Sequence, residues 1–185
     1  MDRSYLILIV AILFFSCNKE SNPRTYILKK VKIEQNNIQS SDLSITKFPG
    51  DAGGIELNVN RWRGQLNLEP ESLESIQSNS IKGVSELGDF KIYKLINKDL
   101  DKGFLCMILT LPTETIFAKL STNSININYL ETDFINFCTT FRLTTEDDKI
   151  TNKFAWDVPD NWVEKKVDSS SLRLASYQIL LENEK

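Results

Sequence analysis

The chain has 185 residues, 41% of them apolar and 25% charged, a balance that suits about one folded domain and excludes general disorder. With 22 basic against 25 acidic residues the net charge is −3, and no extended basic stripe occurs, so nucleic-acid binding has no electrostatic support. Histidine is absent, which removes Ser/His and Cys/His catalysis, imidazole metal sites and an imidazole proton switch together.

The N-terminus begins with a short charged stretch, Met1-Asp2-Arg3-Ser4, followed by an apolar run from Tyr5 to Phe15 that ends in Phe14-Phe15-Ser16-Cys17. The run is short for a membrane span and suits a secretory h-region. A small residue directly before Cys17 resembles the lipobox of bacterial lipoproteins, although Phe14 stands where leucine is usual. The resemblance implies a signal peptide over 1–16, a lipidated Cys17, a polar tether over 17–23, and acyl chains that hold the protein on a membrane without a spanning helix. The alternatives are an uncleaved N-terminal anchor and a plain signal peptide with a coincidental cysteine.

Tyr26 to Ile33 alternates imperfectly and reads as a strand, with Lys29, Lys30 and Lys32 either guarding a solvated edge or touching anionic head groups. The polar run Glu34 to Ser41 reads as a hairpin connection, and Asp42 to Phe48 as the next strand. The stretch Phe48 to Leu66 follows, and the rest of the chain is organised around it. A helix starting near Gly54 places Ile55, Val59, Trp62 and Leu66 on one core-facing stripe and Asn58, Arg61 and Gln65 on another face. Asp51 is the expected N-cap, and the glycines let the backbone turn. Pro70 to Ile76 predicts a second short helix with proline in its first turn.

Four short apolar runs, Ile81 to Leu87, Phe90 to Ile96, Phe104 to Leu111 and Thr115 to Leu120, are separated by turn residues and predict antiparallel strands. Phe104 to Leu111 is apolar almost throughout, as a strand covered on both faces would be. A further helix over Asn128 to Phe141 buries Leu130, Phe134, Phe137, Cys138 and Phe141. The class is α+β, a mainly antiparallel sheet packed with two principal helices, over residues 24–143. Residues 144–185 hold a polar link, an aromatic loop from Phe154 to Trp162 around Pro159, and a strand from Ser171 to Leu181. This tail either completes the same sheet or opens a second, unfinished copy. Cys106 and Cys138 read as small core residues whose pairing the spacing does not decide, and with no CxxC or Cys/His cluster a metal site has no support.

The string Leu43 to Gly54 (LSITKFPGDAGG) with Asn58 to Leu66 (NVNRWRGQL) resembles a motif of uncharacterised bacterial lipoproteins and exported proteins. Phe117-Ala118-Lys119-Leu120 and Phe134-Ile135-Asn136-Phe137 match later parts of that pattern. Val158-Pro159-Asp160-Asn161-Trp162 and Arg173-Leu174-Ala175-Ser176-Tyr177 match its early parts but sit at the C-terminus, which implies a permuted domain or a truncated repeat. The family implies no established activity. The order of elements is also similar to the small α+β sheet of PsbP-like proteins, an analogy silent on mechanism.

Gly50, Asp51, Gly53, Gly54, Asn58, Arg61 and Gln65 form the candidate binding group: glycine N–H groups at a helix start can cradle an anion, with Arg61 adding charge. Asp51 opposes that, since a carboxylate already occupies the positive end, and the alternative is a structural turn. The spacing is neither a phosphate-binding loop nor a dinucleotide fingerprint. Trp156 and Trp162 flank Pro159 and form either an aromatic shelf for a peptide or sugar or a lid over the sheet edge. No cofactor is implied, and no acid–base pair is identified. The expectation is a lipid-anchored protein of the bacterial cell envelope, facing periplasm or surface. It acts as a binding or scaffolding module for an envelope protein. The alternative is a small-ligand carrier, or a histidine-independent enzyme, with a pocket at the glycine loop.

Overall fold

The computed structural model describes residues 40–146, 148, 153–167 and 172–181. Cys17, the leader, the tether and the strand expected over Tyr26 to Ile33 lie outside the described residues. Strand β1 (Ser40–Pro49) leads into helix α1 (Gly54–Gln65) and the short helix α2 (Leu73–Ser78). An antiparallel run follows: β2 (Ile81–Ser85), β3 (Gly88–Asn97), β4 (Lys102–Thr110) and β5 (Glu114–Thr122). Helix α3 (Ile127–Thr139) precedes the small ribbon of β6 (Arg142–Leu143) and β7 (Phe154–Ala155), and the described chain closes with β8 (Trp162–Lys165) and β9 (Arg173–Leu180). The main sheet has the order β2-β3-β4-β5-β1-β9-β8, and every neighbouring pair in it is antiparallel. The fold is α+β.

The first half of the sheet is built by short turns, as its punctuation predicts: Asn97 Oδ1 accepts the N–H groups of Asp99 and Leu100 and fixes the β3–β4 turn. β1 is different, because it enters between β5 and β9 and so joins two parts of the chain distant in sequence. The C-terminal strand β9 lies against β1 in this same sheet, with Leu43 opposite Tyr177 and Ser44 opposite Ser176.

Alternation assigns side chains to faces. On β4, Leu105, Met107 and Leu109 join Phe90, Ile92 and Ile45 beneath α3, where Phe134 and Phe137 fill the centre of the larger core. Gly103 lets α3 come close, since a Cβ there would stand 2.4 Å from Cγ1 of Ile127. On the opposite face Phe104, Cys106 and Ile108, with Tyr93 and Phe117, receive Val59, Trp62 and Leu66 of α1. Trp62 meets Phe117 edge-on, with ring centroids 5.4 Å apart.

Helix α2 departs from its sequence expectation, because it begins at Leu73 and leaves Pro70 outside. Asn60 of α1 explains the delay: its side chain donates to the Glu71 carbonyl and accepts the Glu71 N–H, both at 2.8 Å. That pair of hydrogen bonds ties the segment to α1 just before Ser72, whose hydroxyl caps the Ser75 N–H at 3.3 Å. Cys106 and Cys138 are both free and buried, and they belong to the cores on opposite sides of the sheet.

Candidate ligand-binding surfaces

The loop before α1 is folded on itself. Gly50, Ala52, Gly53 and Gly54 all have positive φ, with Ala52 at 54° the non-glycine exception. On this left-handed path Asp51 stays exposed, and among the described residues its carboxylate accepts the Gly53 N–H, at 3.0 Å. Asp51 is therefore not the helix cap. Gly53, at φ 87°, holds that position with no side-chain cap bond. The Gly54 N–H donates to the Asp51 carbonyl at 2.9 Å and the Gly50 N–H to the Thr113 carbonyl at 2.8 Å, so the amides that would cradle an anion already have partners.

Asn58, Arg61 and Gln65 follow one another along α1 but do different things. Asn58 is buried, and its amide donates to the carbonyls of Ala52 at 2.8 Å and Gly54 at 2.7 Å, tying loop to helix. Its Oδ1 accepts from Arg61 Nη2 at 2.9 Å. Arg61 is exposed and lies over the Trp62 ring. Gln65 Oε1 accepts from Lys119 Nζ of β5. The helix edge thus ends against Lys119, which is not among the candidate binding residues read from the sequence.

Lys119 opens onto a surface with a regular plan. It stands opposite Ser44 of β1, Ser44 stands opposite Ser176 of β9, and Ser176 stands opposite Lys165 of β8. Neighbouring strands lie roughly 4.8 Å apart, so Lys-Ser-Ser-Lys forms a row of about 14 Å on one face of the sheet. No described helix packs over this row, and a shallow depression of about 240 Å³ runs along it, lined also by Asp42, Ser121 and Arg173. Lys165 Nζ bonds Asp42 Oδ1 at 2.6 Å, and Arg173 Nη1 reaches Ser176 Oγ at 3.2 Å. Among the described residues that line the depression there are three cations and one carboxylate, in a chain of net negative charge. Burial pushes the Lys119 ammonium below its usual pKa, and the Arg61 charge pushes the same way. A signal for this surface does exist in the sequence. Asp42, Ser44 and Thr46 alternate with Leu43 and Ile45, the mark of a strand with one uncovered face.

On the same face, at the other end of α1, a larger cavity of about 590 Å³ lies between Ile55 and the β2–β3–β4 corner, and none of the seven candidate residues lines it. A smaller polar depression of about 190 Å³ lies between α1, α2 and β3. Tyr93 lines it, and its hydroxyl has no partner among the described residues and is pushed to about 12 by burial.

In the aromatic loop one tryptophan is buried and the other half-buried. Trp162 is buried against Phe137, with centroids 4.9 Å apart, and Trp156 stacks on Phe141 and donates its indole N–H to Tyr177 Oη at 2.9 Å. Trp162 faces the α3 core because it lies opposite Ile179 on that side of β8, and Trp156 packs half-buried against the same core. Burial raises both cysteine thiols, which keeps them protonated. Among the described residues no cluster of three or more His, Cys, Asp or Glu could hold a metal ion, and no helix is long and apolar enough to cross a membrane. Comparison of the chain with protein-family models, with curated proteins and with solved structures finds no match.

Proposed function

We propose that this protein is a lipid-anchored binding module of the bacterial cell envelope, held through Cys17 and facing periplasm or surface. Its contact surface is the Lys119–Ser44–Ser176–Lys165 row, with Arg61 and Gln65 along the helix edge. The row carries the reading: hydroxyls flanked by cations in a shallow, open depression of the sheet face suit an anionic patch on an envelope partner better than a buried small molecule. The glycine loop and Asn58 serve this surface indirectly, by fixing the angle at which α1 meets the sheet.

Two measurements test the reading. A photoreactive residue at Ser121, beside the row, is expected to crosslink one partner in cells, whereas the same residue at the exposed Tyr129 on α3 captures none. Replacing Lys119 and Lys165 together by glutamine is expected to abolish the adduct while the protein stays folded. Equal labelling from both positions overturns the contact surface. Cys17→Ser is expected to release the protein from the membrane fraction, and retention there overturns the anchor.

A second reading, a small-ligand carrier, is favoured by one observation: the 590 Å³ cavity beside the start of α1 lies within the roughly 300–1,000 Å³ of small-molecule sites.

A further inference from the structure

The cavity beside Ile55 is built unlike the rest of the surface. Its apolar wall includes Ile55 of α1, Val84 of β2 and Ile108 of β4, and Val84 is 66% exposed. Its charged rim comes from Lys82 and Lys91, which are directly opposite each other in the β2–β3 pair and share the face that α1 covers. Lys91 lies opposite Ile108 on its other side, which places both lysines level with the apolar wall.

Like charges directly opposite in an antiparallel pair are destabilising, with Cβ atoms only about 4.5–5.5 Å apart. Neither lysine has an ion-pair partner among the described residues. Guarding an edge strand against aggregation accounts for Lys82, since β2 ends the sheet. It does not account for Lys91, because β3 is paired on both sides at that residue. Asp89, opposite Val84, also lines the cavity and leaves the lining with one net positive charge. That balance suits a monoanion rather than a phosphate dianion.

We propose that this cavity binds a single-tailed amphiphile with a carboxylate head, its apolar tail against Ile55, Val84 and Ile108 and its carboxylate between Lys82 and Lys91. The proposal rests on the carrier reading and names its ligand class. A bound carboxylate offsets the repulsion between the two lysines, and the tail covers the exposed Val84.

The test titrates the full chain with decanoate, decanol and decylamine, each below its micelle-forming concentration, following melting temperature and tryptophan fluorescence. Decanoate is expected to bind saturably and to weaken with added salt, while decanol and decylamine bind at least tenfold more weakly. Lys82→Gln/Lys91→Gln is expected to lose decanoate binding at least tenfold without lowering the ligand-free melting temperature, and Lys82→Arg/Lys91→Arg to retain it. Lys165→Gln, on the other surface, is expected to leave it unchanged. Decanol binding as tightly as decanoate overturns the carboxylate head and leaves a carrier of neutral amphiphiles. No binding by any of the three overturns both the head and the carrier reading. Loss through Lys165→Gln in place of Lys82→Gln/Lys91→Gln moves the ligand to the serine row and overturns the cavity.

Discussion

On one face of the sheet α3 lies over the central strands, and Phe137 meets Trp162 and Phe141 meets Trp156 from the C-terminal segment, so that few polar groups enter the core. On the other face α1 covers only the middle. Beyond its two ends the sheet carries lysines and serines on one side and an open cavity on the other. The α3 side buries more apolar surface and needs contributions from both ends of the described chain. The α1 side leaves strand positions exposed that packing alone would fill with apolar residues. The difference separates what holds the domain together from what is available to a partner.

The largest expected effect breaks the closed face. Phe134 is fully buried at the centre of that core, and Phe134→Ala is expected to cost about 3–5 kcal/mol in urea unfolding, from lost transfer energy and an unfilled cavity. An exposed apolar residue on the other side, Leu57 at 65% exposure, is the control, with Leu57→Ala expected to stay within about 0.5 kcal/mol. Equal costs at the two positions would remove the asymmetry.

The loop before α1 comes next. Asn58→Ala removes the amide that joins loop to helix and leaves the Ala52 carbonyl unpaired, an expected loss of about 1–3 kcal/mol. Asn58→Asp should lose more than alanine, because it aims a carboxylate at two carbonyl oxygens. If Asn58→Asp is tolerated as well as Asn58→Ala, the amide is not the tie between loop and helix.

These two positions show how unevenly the sequence could be read. The stripe Val59, Trp62 and Leu66 and the stripe Leu130, Phe134, Phe137 and Cys138 are legible, because a buried helix face repeats with the period of the helix. Asp51 is misread as a cap, since a left-handed loop can turn its acid away from the helix, and no periodicity records backbone sign. The placement of β1 between β5 and β9 is equally hidden, because long-range pairing leaves no local trace. The alternation in β1 marks one uncovered face, but the full serine–lysine row is hidden with that placement, since its members come from four strands. The aromatic loop is ambiguous for a different reason: a tryptophan beside proline has the same local pattern whether it faces solvent or, as Trp162 does, a core.

A smaller effect concerns the ion pairs at the rim of the closed face. Glu114 sits between Lys47 at 3.2 Å and Lys153 at 3.1 Å. Burial pushes its carboxyl upward, but the two lysines outweigh that and hold it below the usual value of 4.5. A carboxylate with a depressed folded pKa contributes stability that is present above the unfolded value and lost as pH falls through the folded one. Stability is therefore expected to decline below pH 4.5, less steeply in Glu114→Gln, which should cost about 1 kcal/mol or less at pH 7. Asp148, held low by the Thr145 N–H and by Arg142, accounts for part of the remaining acid sensitivity. An unchanged acid limb in Glu114→Gln would place the loss elsewhere.

The smallest expected change in stability carries the sharpest test of the open face. Ser44 sits in the middle of the row, with Lys119 opposite on one strand and Ser176 opposite on the next. Ser44→Asp puts a carboxylate between the lysines of the row, where attraction offsets the low strand propensity of aspartate, so the change in unfolding free energy should stay within about 1 kcal/mol. The same substitution weakens the positive field that an anionic partner would meet and sets a like charge against it, and capture of that partner through Ser121 is expected to fail. A structural face and a contact face respond in opposite ways. If the row were there for packing, an added charge would destabilise the fold in proportion to burial; if it meets a partner, the fold tolerates the charge and the partner does not. Destabilisation well beyond 1 kcal/mol with capture intact would assign the row to the architecture and leave the cavity beside Ile55 as the open feature of this face.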